Sequence, residues 1–212
     1  MRYFLFVLLT VAARAVSGQT DQPRDWQDEL ISAMLPVELE DGKVVYFQKT
    51  EFTEGLMSRV LDIDGGEATS FPVTGLSFND VLMFIEQLNA KSGRTFRLPK
   101  WSEWTFAASE AGLYRFAGSN DIESVGWYTK NSGRSLHPVS ELSPNSFGLY
   151  DMTGNVAEYV IDDQPEDEFG EFLLMGGTGV SEKKACLNSC VLTSAPDHAT
   201  NTFGFRLILD EK

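Results

Sequence analysis

The 212 residues carry 31 Asp and Glu against 17 Lys and Arg, a formal charge of −14, with 42% hydrophobic and 12% aromatic residues. A surface this acidic repels phosphate backbones and anionic lipid, which argues against nucleic acid as a partner; the length suits one domain with a sizeable core. Two histidines are too few for a three-histidine iron site.

Arg2 precedes an apolar run, Tyr3 to Ala13, and then the small residues Ala15-Val16-Ser17-Gly18. The run is too short to span a bilayer comfortably, so residues 1–18 read as a secretory signal cleaved before Gly18 or Gln19. Cleavage removes two arginines and no acid, moving the formal charge from −14 to −16. No later stretch is apolar enough to cross a membrane, and the expectation is an exported protein, periplasmic or secreted. Residues 19–36 read as a polar lead-in and a short helix: Trp26, Leu30, Ile31, Met34 and Leu35 form a stripe that ends at Pro36. A single domain is expected over 37–212.

Val37 to Thr53 alternates into two strands across Asp41-Gly42, a hairpin signal, and Thr53 is placed to cap a helix over Glu54 to Leu61. Asp62 to Ser70, with two glycines and three acids, reads as an exposed loop. Ser77 or Asn79 caps an amphipathic helix through Phe78, Val81, Leu82, Phe84, Ile85 and Leu88, which Lys91-Ser92-Gly93 stops. After Phe96-Arg97-Leu98-Pro99 a second helix is expected, with Ser102 as its cap and Glu103, Trp104, Ala107 and Ala108 inside; Arg97 and Glu103 are spaced to pair. The loop-like 111–130 region holds Tyr114, Phe116, Trp127 and Tyr128, which serve packing, and His137 reads as a hydrogen-bonded structural residue.

Asn145 to Tyr159 reads as a loop passing through a short buried strand into a polar turn, where Gly154 and Asn155 permit a backbone that most residues resist. Asn155 and Glu158 stand three apart. One turn would aim an amide oxygen and a carboxylate at a hard cation such as calcium, with backbone carbonyls completing the shell; a polar turn capping its own backbone fits the same spacing. The acidic run at 161–170 is either a solvated loop or a source of a further ligand, Asp162 or Asp163. The only cysteines, Cys186 and Cys190, sit in C-x-x-x-C spacing. A disulfide, two free thiols and a metal or redox site all remain open for them.

The stretch N-S-F-G-L-Y-D-M-T-G-N-V-A-E, 145–158, resembles the signature of the formylglycine-generating enzyme, or sulfatase-modifying factor, family. Three further blocks match in the same order: F-P-V-T-G-L-S-F-N-D-V with R-L-P-K-W-S-E-W-T-F-A-A (71–108), W-Y-T-K-N-S-G with H-P-V (127–139), and G-G-T (176–178) with F-G-F-R (203–206). Lys49 to Thr53 is similar to the family's K-x-E-V-T phrase. The resemblance implies a single α+β domain related to the C-type lectin fold, with short strands, two main helices and much loop. It also implies calcium at Asn155, Val156 and Glu158, a close approach of backbone at Gly204, and Arg206 paired with an internal carboxylate. In catalytically competent members, two cysteines five apart bind copper and oxidise a substrate cysteine to formylglycine. Counted from Gly176-Gly177, Ser181 falls on the first of these and Cys186 on the second, with Cys190 four beyond. A hydroxyl cannot replace a thiolate for Cu(I). Ala157 and Tyr159 replace the aromatic pair of the family's N-V-W-E-W. The expectation is therefore a divergent member: an exported, non-catalytic binding or assembly module that meets a protein or peptide partner through the 179–202 loop. The alternative is a copper-dependent oxidase with Cys186 and Cys190 as ligands.

Overall fold

Helix α1 (Asp25–Ser32) runs directly into a hairpin, β1 (Met34–Glu38) and β2 (Val44–Gln48), in a computed structural model that describes residues 25–63, 69–163 and 172–210. Gly42 turns the hairpin at φ 80°. The sheet thus begins at Met34, and Pro36 lies within β1 opposite Tyr46 rather than ending the helix. Because β1 is an edge strand, the N–H that proline lacks is not needed there. The expected signal segment, 1–18, and most of the acidic run at 161–170 lie outside the described residues.

Thr53 caps α2 (Glu54–Val60) by accepting the Leu56 N–H at 3.3 Å. Ser77 caps α3 (Phe78–Ser92) in a reciprocal box: Ser77 Oγ accepts the Asp80 N–H while Asp80 Oδ2 accepts the Ser77 N–H at 3.0 Å. Gly93, left-handed at φ 67°, closes that helix. α3 buries Phe78, Val81, Phe84, Ile85 and Leu88 and leaves Leu82 and Met83 outside. After β3 (Phe96–Arg97), α4 (Trp101–Ser109) starts one residue before the expected cap. Its N-cap is Lys100, whose N–H donates to Glu103 Oε2 at 2.9 Å, and Ser102 bonds Asp163 instead. Arg97 grips the same Glu103 bidentately at 2.7 and 2.8 Å. Burial pulls the Glu103 carboxyl upward, but these hydrogen bonds outweigh it and hold the group below the usual carboxylate range.

The remaining strands are β4 (Ala157–Ile161), β5 (Phe172–Met175), β6 (Phe203–Gly204) and β7 (Ile208–Leu209). One sheet has the order β1-β2-β7-β3 and the other β5-β4-β6, with β4 and β6 parallel. The short buried strand expected ahead of the polar turn in 145–159 does not form: the backbone turns left-handed at Asp151 (φ 59°) and again at Asn155 (φ 54°). An aromatic core, with Phe52 stacked on Phe205 at 5.1 Å and edge-on to Phe84 at 5.2 Å, packs α3 against the sheets. A second core gathers Phe47, Trp104, Leu149, Met175 and Ile208 under α4. A smaller third one, Phe116, Ile122, Val125 and Tyr128, encloses Cys186.

Candidate functional site

The parallel pairing of β4 with β6 sets Glu158 opposite Gly204, two residues before Arg206. This approach needs a glycine: a Cβ at 204 would stand 2.6 Å from Val156 Cγ2 and 3.1 Å from the Val73 carbonyl. Arg206 and Glu158 then meet bidentately, Nη2 to Oε1 at 2.6 Å and Nε to Oε2 at 2.7 Å, with both side chains essentially inaccessible. Trp104 Nε1 adds a third donor to Oε2 at 2.7 Å. The guanidinium also reaches the carbonyls of Gln48 (3.2 Å) and Tyr150 (2.8 Å), so it ties β2, β4 and the 145–155 loop together.

Two more buried acids gather around this pair. Glu51 accepts from Asn155 Nδ2 (2.8 Å) and from the Val156 N–H (3.2 Å); Asp151 accepts from the Ser140 N–H at 2.7 Å. The left-handed turn that delivers these groups rests on Gly154, where a Cβ would lie 1.8 Å from the Trp127 carbonyl oxygen. Burial, then repulsion from Asp151 and Glu158, pushes the Glu51 carboxyl well above its ordinary range. Burial, with the Glu158 charge adding to it, raises Asp151 to about 6 despite the Ser140 hydrogen bond and Arg206. Three carboxylates therefore share one guanidinium.

As placed, Asn155, Val156 and Glu158 do not form a calcium ligand set. Both Glu158 oxygens are held by Arg206 and Trp104. Asn155 spends its Oδ1 on the His137 N–H at 3.0 Å and its Nδ2 on Glu51 and the His137 carbonyl. Among the described residues, no three His, Cys, Asp or Glu side chains gather closely enough to hold an ion. The carboxyls crowded beside this pair are Glu51 and Asp151, which spacing arguments passed over; Glu51 follows the end of β2, between Thr50 and Phe52 in F-Q-K-T-E-F. His137 fills the structural role expected of it, stacked on Trp127 at 3.7 Å and bonded to Ser132 and Glu141.

The cysteine loop hangs from the same frame. Gly154 N–H bonds the Gly176 carbonyl, Gly179 N–H bonds the Asn155 carbonyl, and Thr129 N–H bonds the Ser181 carbonyl, all at 2.8 to 3.0 Å. Ser181 Oγ accepts the Thr178 N–H (3.0 Å) and shares a hydrogen bond with Thr178 Oγ1 (2.9 Å), closing a turn. Cys186 ends the 3-10 helix Lys183–Cys186, its sulfur pressed against Gly177, where a Cβ would come within 2.8 Å of it. It also takes a backbone hydrogen bond from Thr178, so Ser181 and Cys186 flank one residue. Burial, with Cys190 nearby, pushes the Cys186 thiol up to about 12. Of the arrangements left open for the two cysteines, the structure has free thiols and no disulfide: Cys186 turns into the apolar third core while Cys190 sits half-buried at the next turn. At the counted pair, 181 and 186, the loop offers copper a hydroxyl and one protonated, enclosed sulfur, a donor set that does not fit Cu(I); Cys190 stands outside that pair.

The model of the sulfatase-modifying factor enzyme 1-like domain matches residues 46–211. The chain belongs to this family. Among curated relatives, the inactive C-alpha-formylglycine-generating enzyme 2 of Bos taurus is 25% identical over 158 residues, covering 66% of this chain and 50% of that protein. The chaperone protein LppX of Paenibacillus barcinonensis is 30% identical over 101 residues, 38% of this chain and 36% of that protein. The chain thus spans half or less of the length of these two relatives. Solved structures share the fold: Treponema denticola variable protein 1 superposes with a TM-score of 0.70 at 20% identity, over 84% of this chain and 91% of that one. PvdO from Pseudomonas aeruginosa follows at 0.66 and 18%, over 80% and 82%. At such identities the likeness establishes architecture and not activity.

Proposed function

We propose that this chain is an exported, non-catalytic member of the sulfatase-modifying factor family that binds a protein or peptide partner. The observation that carries this reading is Ser181: its hydroxyl closes the Thr178 turn at the place where a copper-binding member needs a thiolate. The enclosed, protonated Cys186 supports it, because the thiolate is the form that ligates and reacts. The names of two relatives, one "inactive" and one a "chaperone protein", agree with a role in handling protein rather than oxidising it. Export rests on Arg2 and the apolar run at 3–13. The 179–202 loop is the proposed recognition surface, with Val180, Glu182, Lys183 and Lys184 exposed on it.

The deciding experiment is a Cu(I) titration of the reduced chain, followed by incubation with a sulfatase-type cysteine peptide in air. No stoichiometric copper and no aldehyde are expected. One-to-one binding that Cys186→Ser abolishes, with formylglycine appearing in the peptide, would sink this reading and establish the oxidase. Mass analysis of the chain recovered from outside the cytoplasm should show it starting at Gly18 or Gln19. Calcium belongs to the same proposal: Glu51 and Asp151 are the acids not locked in a bidentate ion pair, and an ion would replace the protons that burial favours on them, while Glu158 stays with Arg206. An ion there would require those side chains to converge further, and calcium should then raise the melting temperature over that in EDTA. Identical melts in calcium, magnesium and EDTA would remove the ion from the account.

A further inference from the structure

A cavity of about 360 Å³ opens between α4, the loop that follows it and the far end of the cysteine loop. Thr105, Tyr114, Arg115, Leu187 and Asn188 are among its walls. Asn188 is only 4% exposed, and its Nδ2 donates to the carbonyls of Ala108 (3.2 Å) and Tyr114 (3.1 Å). Both partners are acceptors, which fixes the amide's orientation and puts the oxygen on the other side. That Oδ1 has no donor among the described residues, and neither does Thr105 Oγ1 have a partner. A buried acceptor left without a donor costs free energy that a ligand N–H would recover.

The Asn188 N–H bonds the Arg115 carbonyl at 2.9 Å, which sets Arg115 beside the orphaned amide. Arg115 is exposed and forms no ion pair among the described residues, and the described walls hold no carboxylate. Lys183 and Lys184 stand on the adjoining 3-10 helix, Lys183 Nζ lying 5.3 Å over the Phe116 ring, and add two cations beside Arg115. Of the nearby acids, Glu110 is taken by Ser146 and Glu123 by Tyr128, while Asp121 and Glu182 face solvent. Leu113, 71% exposed, extends the rim with apolar surface.

We propose that this cavity holds the C-terminal residue of a peptide: its carboxylate on Arg115, its amide N–H on Asn188 Oδ1, and an apolar side chain against Leu187 and Tyr114. The proposal rests on the binding-module reading and supplies the partner's chemistry, a protein end with a free carboxylate and an apolar last residue. The test is a titration of the ¹⁵N-labelled full chain with N-acetyl-L-leucine, followed by amide chemical shifts. Saturable shifts are expected at the Asn188 side-chain amide and the Arg115 and Gly112 backbone amides. N-acetyl-L-leucinamide, and the carboxylate on the Arg115→Gln chain, should bind at least about tenfold more weakly, the worth of a charge-assisted hydrogen bond. Arg115 is exposed, so that variant should fold. Absent or scattered shifts, or equal binding of acid and amide, would overturn the proposal. Neither thiol takes part in the readout. A copper result at Cys186, which would sink the binding-module reading, leaves these shifts able to support or overturn the cavity on their own.

Discussion

Replacing Asp151 by Asn should stabilise the protein at neutral pH, although it alters a buried, hydrogen-bonded side chain. Asp151 has 5% of its surface exposed and shares Arg206 with Glu51 and Glu158. Burial first, then the Glu158 charge, raises its carboxyl from 3.8 to about 6. For an acid whose pKa is higher in the folded than in the unfolded chain, the folded state binds more protons between the two values. Its favourable contribution is fully present below about pH 4 and is lost as pH rises through 6. A shift of about two units corresponds to about 3 kcal/mol lost by pH 7. Asparagine keeps an oxygen for the Ser140 N–H and tolerates φ 59°, but forfeits the charge assistance of that bond, roughly 1 kcal/mol. The net expectation is a gain of about 1–2 kcal/mol at pH 7 that vanishes toward pH 4. Urea melts in EDTA at pH 4, 5, 6 and 7, followed by tryptophan fluorescence, would read it. A destabilised variant at pH 7, or a difference that is flat in pH, would refute the charge-crowding argument. Repeating the melts in calcium adds a second reading: if Asp151 is a ligand, calcium stabilises the parent chain and not the variant.

Other consequences follow from the same contacts. Arg206→Met leaves three buried carboxylates without their cation and should cost about 3–5 kcal/mol, measured by the same melts; a loss under 1 kcal/mol would mean the acids are already neutral. Gly204→Ala puts a methyl 2.6 Å from Val156 Cγ2 and should cost roughly 1–3 kcal/mol by overpacking, whereas Gly42→Ala, with open space around it, should show only the strain of its positive φ. Iodoacetamide at pH 8 should label Cys190 well before Cys186, whose thiol is enclosed and shifted to about 12; equal labelling rates in the native state would show the loop opening around Cys186.

The sequence was most legible where local chemistry and tertiary packing agree. Thr53, the cap at Ser77 and the stop at Gly93 each act within one helical turn, the stripe Phe78-Val81-Ile85-Leu88 repeats turn by turn, and α2 and α3 form about where those signals place them. The pairing expected of Arg97 with Glu103 is also present, and Arg206 finds the internal carboxylate expected for it, which proves to be Glu158 rather than an acid free for calcium. Signals that depend on a distant partner were misplaced. Pro36 looks like a helix stop until one knows that β1 lies at a sheet edge. Ser102 looks like a cap, but Pro99 and the Glu103–Arg97 pair start α4 at Trp101, and the hydroxyl is drawn to Asp163. The polar site was half legible: Asn155 and Glu158 stand out by spacing, yet Glu51 comes from more than 100 positions away and Asp151 reaches the cluster only because its backbone is left-handed. Asn188 carried no signal at all, since its meaning lies in two carbonyls that α4 and its trailing loop present to it.

The Ser181 position decides how far function has drifted from fold, and one substitution would expose it. The loop's course is set by backbone hydrogen bonds from Gly154, Gly179 and Thr129, none of which involves the side chain at 181. Ser181 Oγ and Cys186 both engage Thr178, so a sulfur at 181 would stand beside Cys186 without moving the chain. Ser181→Cys should therefore gain one tight Cu(I) equivalent that the parent chain lacks, because two thiolates held close select Cu(I) and binding the metal offsets the cost of deprotonating Cys186. A Cu(I) titration against a competing chelator measures it, with Ser181→Ala as the control. If the cysteine variant binds no better than the alanine one, then Ser181 is not the counterpart of the family's first cysteine, and the reading of a lost thiolate fails. If it binds but leaves a cysteine peptide unoxidised, the metal frame survives in this chain while the substrate groove, with Ala157 and Tyr159 where the family has two tryptophans, does not.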